Sequence, residues 1–424
     1  MTFPERTIYL LHRQCSADIS IDFALLRQHI KGKFYLICSN CFRNNLRQQR
    51  KDIYFDAILS VPSMDDFSAI TEAIESSVDI QHEPFDILSI EEPTVSLCGK
   101  LKRHYGLQDF DHESYVDKLE MKARLRNSGI VIPKHQALCR QTWLNDPIAY
   151  LDRLVATIPF PCFIKPIDQA GAVRAARLDN QDALEHWLAN WQEDGYQYEI
   201  DEFINGTLYH CESILQHGEI IYSQVNEYST PCFNITLGQA LGSITLAETD
   251  PDHINISIMS KKIHALLAPI KHGVTHLEVF KKHDGTLVFL EIAYRPPGNL
   301  ASEMYLQRCG IPLKEIHILI QVDPDMDLEF TSTSFVARYI YPLPPTEGIV
   351  SQINPPQLIS DYQTFWNYQV DDAVNTNKGL CKNAGRMLLW NDDETILRAD
   401  FERLRSYYPY TVAPSCEVTS DAQL

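Results

Sequence analysis

No apolar run in this 424-residue chain approaches the roughly 20 residues that a membrane-spanning helix needs. The opening stretch, Met1-Thr-Phe-Pro-Glu-Arg6, lacks the long apolar segment that directs secretion. Basic residues are few: 37 Lys and Arg stand against 56 Asp and Glu, a formal net charge of -19. Nucleic acids and anionic membranes both call for a basic face, so the balance argues against either partner. It leaves room for a single nucleotide, because a local pair of lysines can hold one phosphate chain inside an acidic protein. G-x-G-x-x-G is absent, so a dinucleotide is not indicated. The 11 cysteines are odd in number and scattered, unlike a disulfide framework. Cys38 and Cys41 form one CxxC, but no second pair lies nearby to complete a zinc site. Together these features predict a reduced cytoplasm. Neither an internal repeat nor a low-complexity linker interrupts the chain.

With 45% hydrophobic and 22% charged residues, the composition is that of a globular protein, and its length predicts two to four domains. In the first third, Ile8–Leu11, Phe34–Ile37, Ala57–Val61 and Asp86–Ile90 are short apolar runs, and Phe67, Ile70 and Ile74 fall on one helical face between two of them. Such alternation predicts a parallel, Rossmann-like sheet over residues 1–112. A helix over Val116–Arg126 ends at Ser128-Gly129, and Ala183–Trp191 reads as another helix. Strand patterns then follow one another: Cys162–Pro166, Tyr198–Ile204, Leu208–Leu215, Glu219–Glu227, Val274–Phe280 and Thr286–Ile292. Runs of strands with few helices predict antiparallel sheet, so the chain combines α/β with α+β organisation. The expected divisions are a small lobe over 113–197, a larger one over 198–330 and a C-terminal lobe extension over 331–424.

The sharpest local signal is His276-Leu-Glu-Val-Phe-Lys-Lys-His-Asp-Gly-Thr-Leu-Val-Phe-Leu-Glu-Ile292. Asp284-Gly285 between alternating apolar residues predicts a hairpin with a two-residue type I′ turn. That turn places His283 opposite Thr286 and, counting outward, Glu278 opposite Glu291. Directly opposed residues on one sheet face have Cβ atoms roughly 4.5–5.5 Å apart. Two carboxylates there repel each other unless a divalent cation sits between them, and Mg²⁺ is commonly held by one or two carboxylates plus substrate phosphates. Lys165 lies inside the apolar strand Phe163-Ile-Lys-Pro166, where a buried ammonium needs an anion. The small-residue loop Asp168-Gln-Ala-Gly-Ala172, with Gly171, follows it, and Lys118 supplies a second candidate charge.

Taken in order, Asp117-Lys118 with Lys122, Phe163-Ile-Lys-Pro166 with its loop, Asp201-Glu-Phe-Ile-Asn-Gly206 with Tyr209-His-Cys-Glu212, Leu277-Glu-Val-Phe280 and Leu290-Glu-Ile-Ala-Tyr-Arg-Pro-Pro-Gly298 resemble the ATP-grasp family over residues 85–300. Pro133, after Gly129-Ile-Val-Ile, fits the same pattern. The resemblance implies an ATP-grasp fold with an N-terminal Rossmann-like domain and antiparallel nucleotide-binding lobes. Lys118 and Lys165 would bind ATP phosphates, with Gly171 in the phosphate loop, and Glu202, Phe203 and Ile204 would hold adenine. Glu278 and Glu291 would hold Mg²⁺, with Mn²⁺ as an alternative. Arg295 would stabilise the transferring phosphoryl group, and Gly298 and Asn299 would line the substrate side. Ala293 stands where many relatives have Asn. Leu208 stands where a ribose-binding carboxylate is usual, so His210 or Glu212 would take that place.

The implied reaction is ATP-dependent ligation of a small carboxylate to an amine through an acyl phosphate, in a cytoplasmic protein of a type in which homodimers are common. Two further readings stay open: a ligase modifying a protein or peptide side chain, and a nucleotide-binding regulator without turnover.

Overall fold

A computed structural model describes residues 5–13, 20–77, 82–374, 376 and 382–414. Strands β1 (Thr7–His12), β2 (Phe34–Ser39), β3 (Ala57–Val61) and β4 (Phe85–Ser89) lie parallel in the order β3-β2-β1-β4. Every residue of β1 is buried. Ile8 and Leu10 enter one apolar cluster and Tyr9 and Leu11 another. A strand covered on both faces has no room for alternation, which is why it reads as a continuous apolar run. The expected Rossmann-like sheet is therefore present. β4 leads directly into the helix Glu92–His104, so the first residue of that helix sits beyond the carboxyl end of the sheet, where open α/β sheets place ligands.

The small lobe is a four-stranded antiparallel sheet in the order β5-β8-β6-β7, built from β5 (His135–Ala137), β6 (Cys162–Pro166), β7 (Ala176–Leu178) and β8 (Tyr198–Glu202). Its apolar face, including Cys162, Ile164, Tyr198 and Ile200, packs with Leu151 and Leu154 from one helix and Leu184 and Leu188 from another. The alternate residues Lys165, Glu199 and Asp201 point the other way, as the two-residue period of a strand requires. Both expected boundaries of this lobe shift. β8 completes its sheet, so the lobe runs to residue 202, not 197. The helix Lys118–Leu125 belongs elsewhere, because Met121 and Leu125 join the core of the large lobe.

The large lobe holds β9 (Gly206–Gln216), β10 (Glu219–Tyr228), β11 (Leu241–Thr245), β12 (Gly273–Lys282), β13 (Leu287–Ala293) and β14 (Phe335–Pro342). Beyond them come β15 (Gly348–Ile353), β16 (Asp361–Trp366), β17 (Ala373–Val374), β18 (Asn383–Asn391) and β19 (Tyr410–Ala413). The main sheet runs β13-β12-β9-β10-β11-β14-β18-β16, all antiparallel, so three C-terminal strands extend it. Among the C-terminal strands described, β15, β17 and β19 lie in a sheet of their own, and the others extend the large lobe. One face of the main sheet is apolar through Tyr209, Cys211, Val225, Leu277, Val279 and Ile292, and packs on Ile256 and Ile263 of the helix Pro251–Leu266. The opposite face is polar. Residues directly opposed in a ladder share a face, and register carries Glu291 to Glu278, Glu278 to His210, and His210 to Asn226.

Candidate active site

Glu278 does face Glu291, but not by the turn expected. Gly285 N donates to Lys282 O at 2.9 Å and Lys282 N to Thr286 O at 2.9 Å, so the loop comprises three residues, His283 to Gly285. Gly285 takes φ 87°, the left-handed position that such loops assign to glycine. The longer loop offsets the ladder by one, pairing Lys281 with Leu287 and Val279 with Phe289. A β-bulge between Glu278 and Val279, with Leu290 as the extra residue, restores the opposition of the two carboxylates.

The donor set fits a hard divalent cation. Tyr228 OH, Cys232 Sγ and His276 Nε2 all approach Oε1 of Glu278, at 3.1, 3.7 and 3.4 Å. Lys118 Nζ lies 3.3 Å from Oε2 of Glu291. Oε2 of Glu278 and Oε1 of Glu291 therefore accept no hydrogen bond from the described residues, which leaves each carboxylate one oxygen for a metal. Ala293, buried on the same strand, brings no third ligand.

Lys118 also donates to the Gln169 carbonyl at 2.9 Å, in the loop that contains Gly171, so it bridges the large lobe to the lid. Gly171 takes φ 68° and Ala172 φ 58°, so the backbone curls at this point of the loop. The buried Lys165 ammonium meets the anions that its place in the strand requires. Its Nζ lies 3.4 Å from Asp201 and 3.6 Å from Glu199, alongside Lys122, which contacts the same two carboxylates at 2.6 and 2.9 Å. Burial works against the Lys165 charge, but Asp201, Glu199 and Glu291 raise its pKa. In the hinge, Glu202 N donates to Lys134 O and Phe203 N to Pro161 O, while Glu202 Oε1 accepts from Lys134 N. Two of the three amides expected to meet adenine are thus occupied. The Ile204 N–H donates to no other described group and is the one open to a base.

Arg295 Nε donates to Oε2 of Glu92 at 2.5 Å, across from the N-terminal domain. Burial opposes the Glu92 charge, but Arg295 and Lys118 hold its carboxyl below the usual range. Sequence reasoning missed Glu92. Its only local sign was a helix start directly after a parallel strand, and its partner lies 203 residues away. Gly298 is exposed, and Asn299 beside it is partly exposed with φ 54°.

No family model matches the chain. An L-arginine-specific L-amino acid ligase of Bacillus subtilis is 25% identical over 325 residues, covering 73% of this chain and 76% of that protein. A D-alanine–D-alanine ligase of Bacillus velezensis is 24% identical over 187 residues, 43% of this chain and about half (52%) of the relative. Among solved structures, an L-amino acid ligase from Bacillus licheniformis superposes with a TM-score of 0.72 at 14% identity, covering 98% of this chain and 100% of the other. A carboxyaminoimidazole ribonucleotide synthase from Aspergillus clavatus complexed with ATP gives 0.67 at 13%, covering 94% and 97%. The chain has the ATP-grasp fold.

Within this ATP-grasp fold, His210 and Glu212 do not stand where the ribose role expected of them could be filled. Both are fully buried on the polar sheet face, and neighbours take up their polar atoms. His210 Nδ1 and His276 Nδ1 meet Oε1 of Glu212 at 2.8 and 2.5 Å, Tyr305 OH and Asn226 reach its Oε2, and His210 Nε2 contacts Ser243 at 2.6 Å. Burial would discharge His276, but hydrogen bonds and charges from Glu212 and Glu278 raise it to about 9. Burial likewise opposes the Glu278 charge, yet His276 holds that carboxyl down at about 2. Burial dominates at His210 and lowers its pKa, so it stays neutral beside the charged His276.

This network predicts a pH-dependent stability. The folded pKa of His276 lies above its ordinary 6.5, so its contribution is complete below pH 6.5 and is lost as pH rises through 9. The difference is about 3 kcal/mol at about 1.4 kcal/mol per unit. Glu278 acts oppositely: its contribution is present above about pH 4.5 and is lost as pH falls toward 2. Urea titrations at pH 6.5 and 9.5, without divalent cations, are expected to show that loss in the native chain and a flatter alkaline limb in His276→Gln. Parallel limbs in the two proteins would remove His276 as the cause.

Proposed function

We propose that this chain is an ATP-dependent ligase that activates a small amino-acid-type carboxylate as an acyl phosphate and joins it to an amine. The observation that carries this reading is the opposed pair Glu278 and Glu291, each with one open oxygen, set beside Lys118 and Arg295. A carboxylate does not acylate an amine unaided, because oxide is a poor leaving group. Transfer of the ATP γ-phosphoryl group to the acid gives an acyl phosphate and ADP. Attack by the amine then forms the amide, releases phosphate and frees a proton. Mg²⁺ held by Glu278 and Glu291 would offset the phosphate charge.

The chain's own residues supply positioning and electrostatics. The Ile204 amide reads the edge of adenine. Lys118 and Lys165 face the phosphates, and Lys165 exchanges Glu199 and Asp201 for the nucleotide while Lys122 stays to neutralise them. Arg295 meets the charge developing on the transferring phosphoryl group and on the acyl phosphate. Glu92, fixed against Arg295, sets a negative charge beside a positive one, which matches the ammonium and carboxylate of an amino acid. The loop after β6, tied to Lys118, closes over the site to exclude water, which would hydrolyse the intermediate. The names of the two amino acid ligases favour small substrates over a protein side chain.

The test is ADP or phosphate release from ATP and Mg²⁺, screened over pools of amino acids and other small carboxylates with amines. Release that needs both acid and amine supports the reading. Measurable ATP binding without release across broad pools would replace it with a regulator or a macromolecular substrate.

A further inference from the structure

The polar sheet face carries one more cation, and no described carboxylate pairs with it. Arg338 on β14 is 4% exposed, donates through Nη1 to the Asn299 carbonyl at 2.5 Å, and leaves Nε without a hydrogen-bond partner. Among the described residues it makes no ion pair. Buried charges are ordinarily paired, because desolvation is costly. Arg308, equally buried, has a structural explanation: it lies in the last turn of the helix Ala301–Cys309, donates to Ser334 O and stacks on Phe335. Arg338 lies in a strand and has no such support.

Its position shows what it faces. Arg338 is opposite Ser243, Ser243 is opposite Tyr228, and Tyr228 reaches Glu278 on the same sheet face. Its positive charge acts on Tyr228, Cys232 and His210, which border the carboxylate pair. The carbonyl that holds it belongs to Asn299, and Asn299 and Leu300 are consecutive non-glycine residues with φ 54° and 66°. Two neighbouring left-handed residues store strain, and such strain gathers at ligand clamps. Arg338 therefore lies on the sheet face that carries the carboxylate pair, with Ser243 and Tyr228 between them, and keeps one guanidinium nitrogen without a partner.

We propose that Arg338 binds the carboxylate of the amine-donating substrate, so that this substrate is an amino acid and the product carries a free C-terminal carboxylate. The inference rests on the ligase reading above and names its second substrate. The acceptor's amino group attacks the acyl phosphate carbon, loses a proton and expels phosphate. The carboxylate remains a spectator held by the planar fork of the guanidinium, a geometry that a lysine cannot reproduce.

The experiment has two stages. Hydroxylamine replaces the amine in a screen of the common amino acids with ATP and Mg²⁺, and hydroxamate formation identifies the activated acid. Absence of hydroxamate with every acid overturns the ligase reading and this inference with it. With the acid known, kcat/KM is compared for a series of L-amino acids and their C-terminal amides as acceptors. The native chain is expected to prefer the free carboxylate by about ten- to a hundredfold, the worth of a charge-assisted pair. In Arg338→Gln and Arg338→Lys that preference falls toward unity. Equal preference in the native chain and the variants, or none in the native chain despite good hydroxamate formation, overturns the assignment of Arg338 alone.

Discussion

Glu291→Ala lowers ATP-dependent product formation by about a thousandfold, while circular dichroism and ATP-free stability stay close to those of the native chain. A divalent cation that bridges transferring phosphates contributes several kcal/mol of charge stabilisation, and about 4 kcal/mol corresponds to a factor of a thousand. Glu291 is the better of the two carboxylates for this test. Its side chain is 21% exposed and its recorded ion pair is to Lys118, which keeps the Gln169 and Ile167 carbonyls when the carboxylate is removed. Glu278 is 7% exposed and accepts from Tyr228, Cys232 and His276, so Glu278→Ala confounds catalysis with a disrupted network. A coupled ADP assay at saturating Mg²⁺ measures the effect. Activity within tenfold of the native level would take the carboxylate pair out of the mechanism.

That pair was legible in the sequence because it rests on local alternation, although two errors cancelled in the count. The Asp-Gly signal gives the hairpin but does not separate a two-residue loop from a three-residue one, since glycine with positive φ serves both. Nor does alternation reveal a bulge, since Leu290 reads as one more apolar residue. The strand positions were recovered to within a residue or two for the same local reason. Ala57–Val61 matches as expected, and Glu219–Glu227 extends by one residue to Tyr228.

The missing parts are those that depend on partners distant in sequence. Glu92 waits for Arg295, and Arg338 for Asn299. Neither has a local pattern, because the fold makes each meeting. His210 and Glu212 were assigned to ribose by position in a motif. Their burial is set by strands β10 and β12 on either side and by Tyr305 from the helix Ala301–Cys309, and no motif reports such packing. The lobe boundaries failed similarly. A strand does not announce which sheet it joins, so β8 was assigned to the large lobe.

Lys122 falls in a motif of the sequence without an assigned role, and the structure buries it between the large lobe, which carries its helix, and the lid, which supplies its partners. Its side chain is fully buried, with Nζ 2.6 Å from Asp201 and 2.9 Å from Glu199. Burial opposes the Asp201 charge, but Lys122 first and then Lys165 hold its pKa down. Two lysines and two carboxylates balance in the nucleotide-free state. Lys122→Met breaks that balance by leaving one excess negative charge inside the lobe interface, and removal of one member of a buried ion cluster costs about 3–5 kcal/mol. Urea unfolding is expected to show that loss. Adding Glu199→Gln to Lys122→Met restores charge balance and is expected to recover much of it, whereas Glu199→Gln alone is not stabilising. Function should respond as well. With Lys122 gone, Lys165 is the remaining cation on two carboxylates and is held there more firmly, so ATP binding weakens in Lys122→Met beyond what lost stability explains. Nucleotide titration at a temperature where the variant is fully folded separates the two effects. Native ATP affinity in a destabilised Lys122→Met would mean that Lys165 does not move between the carboxylates and the nucleotide.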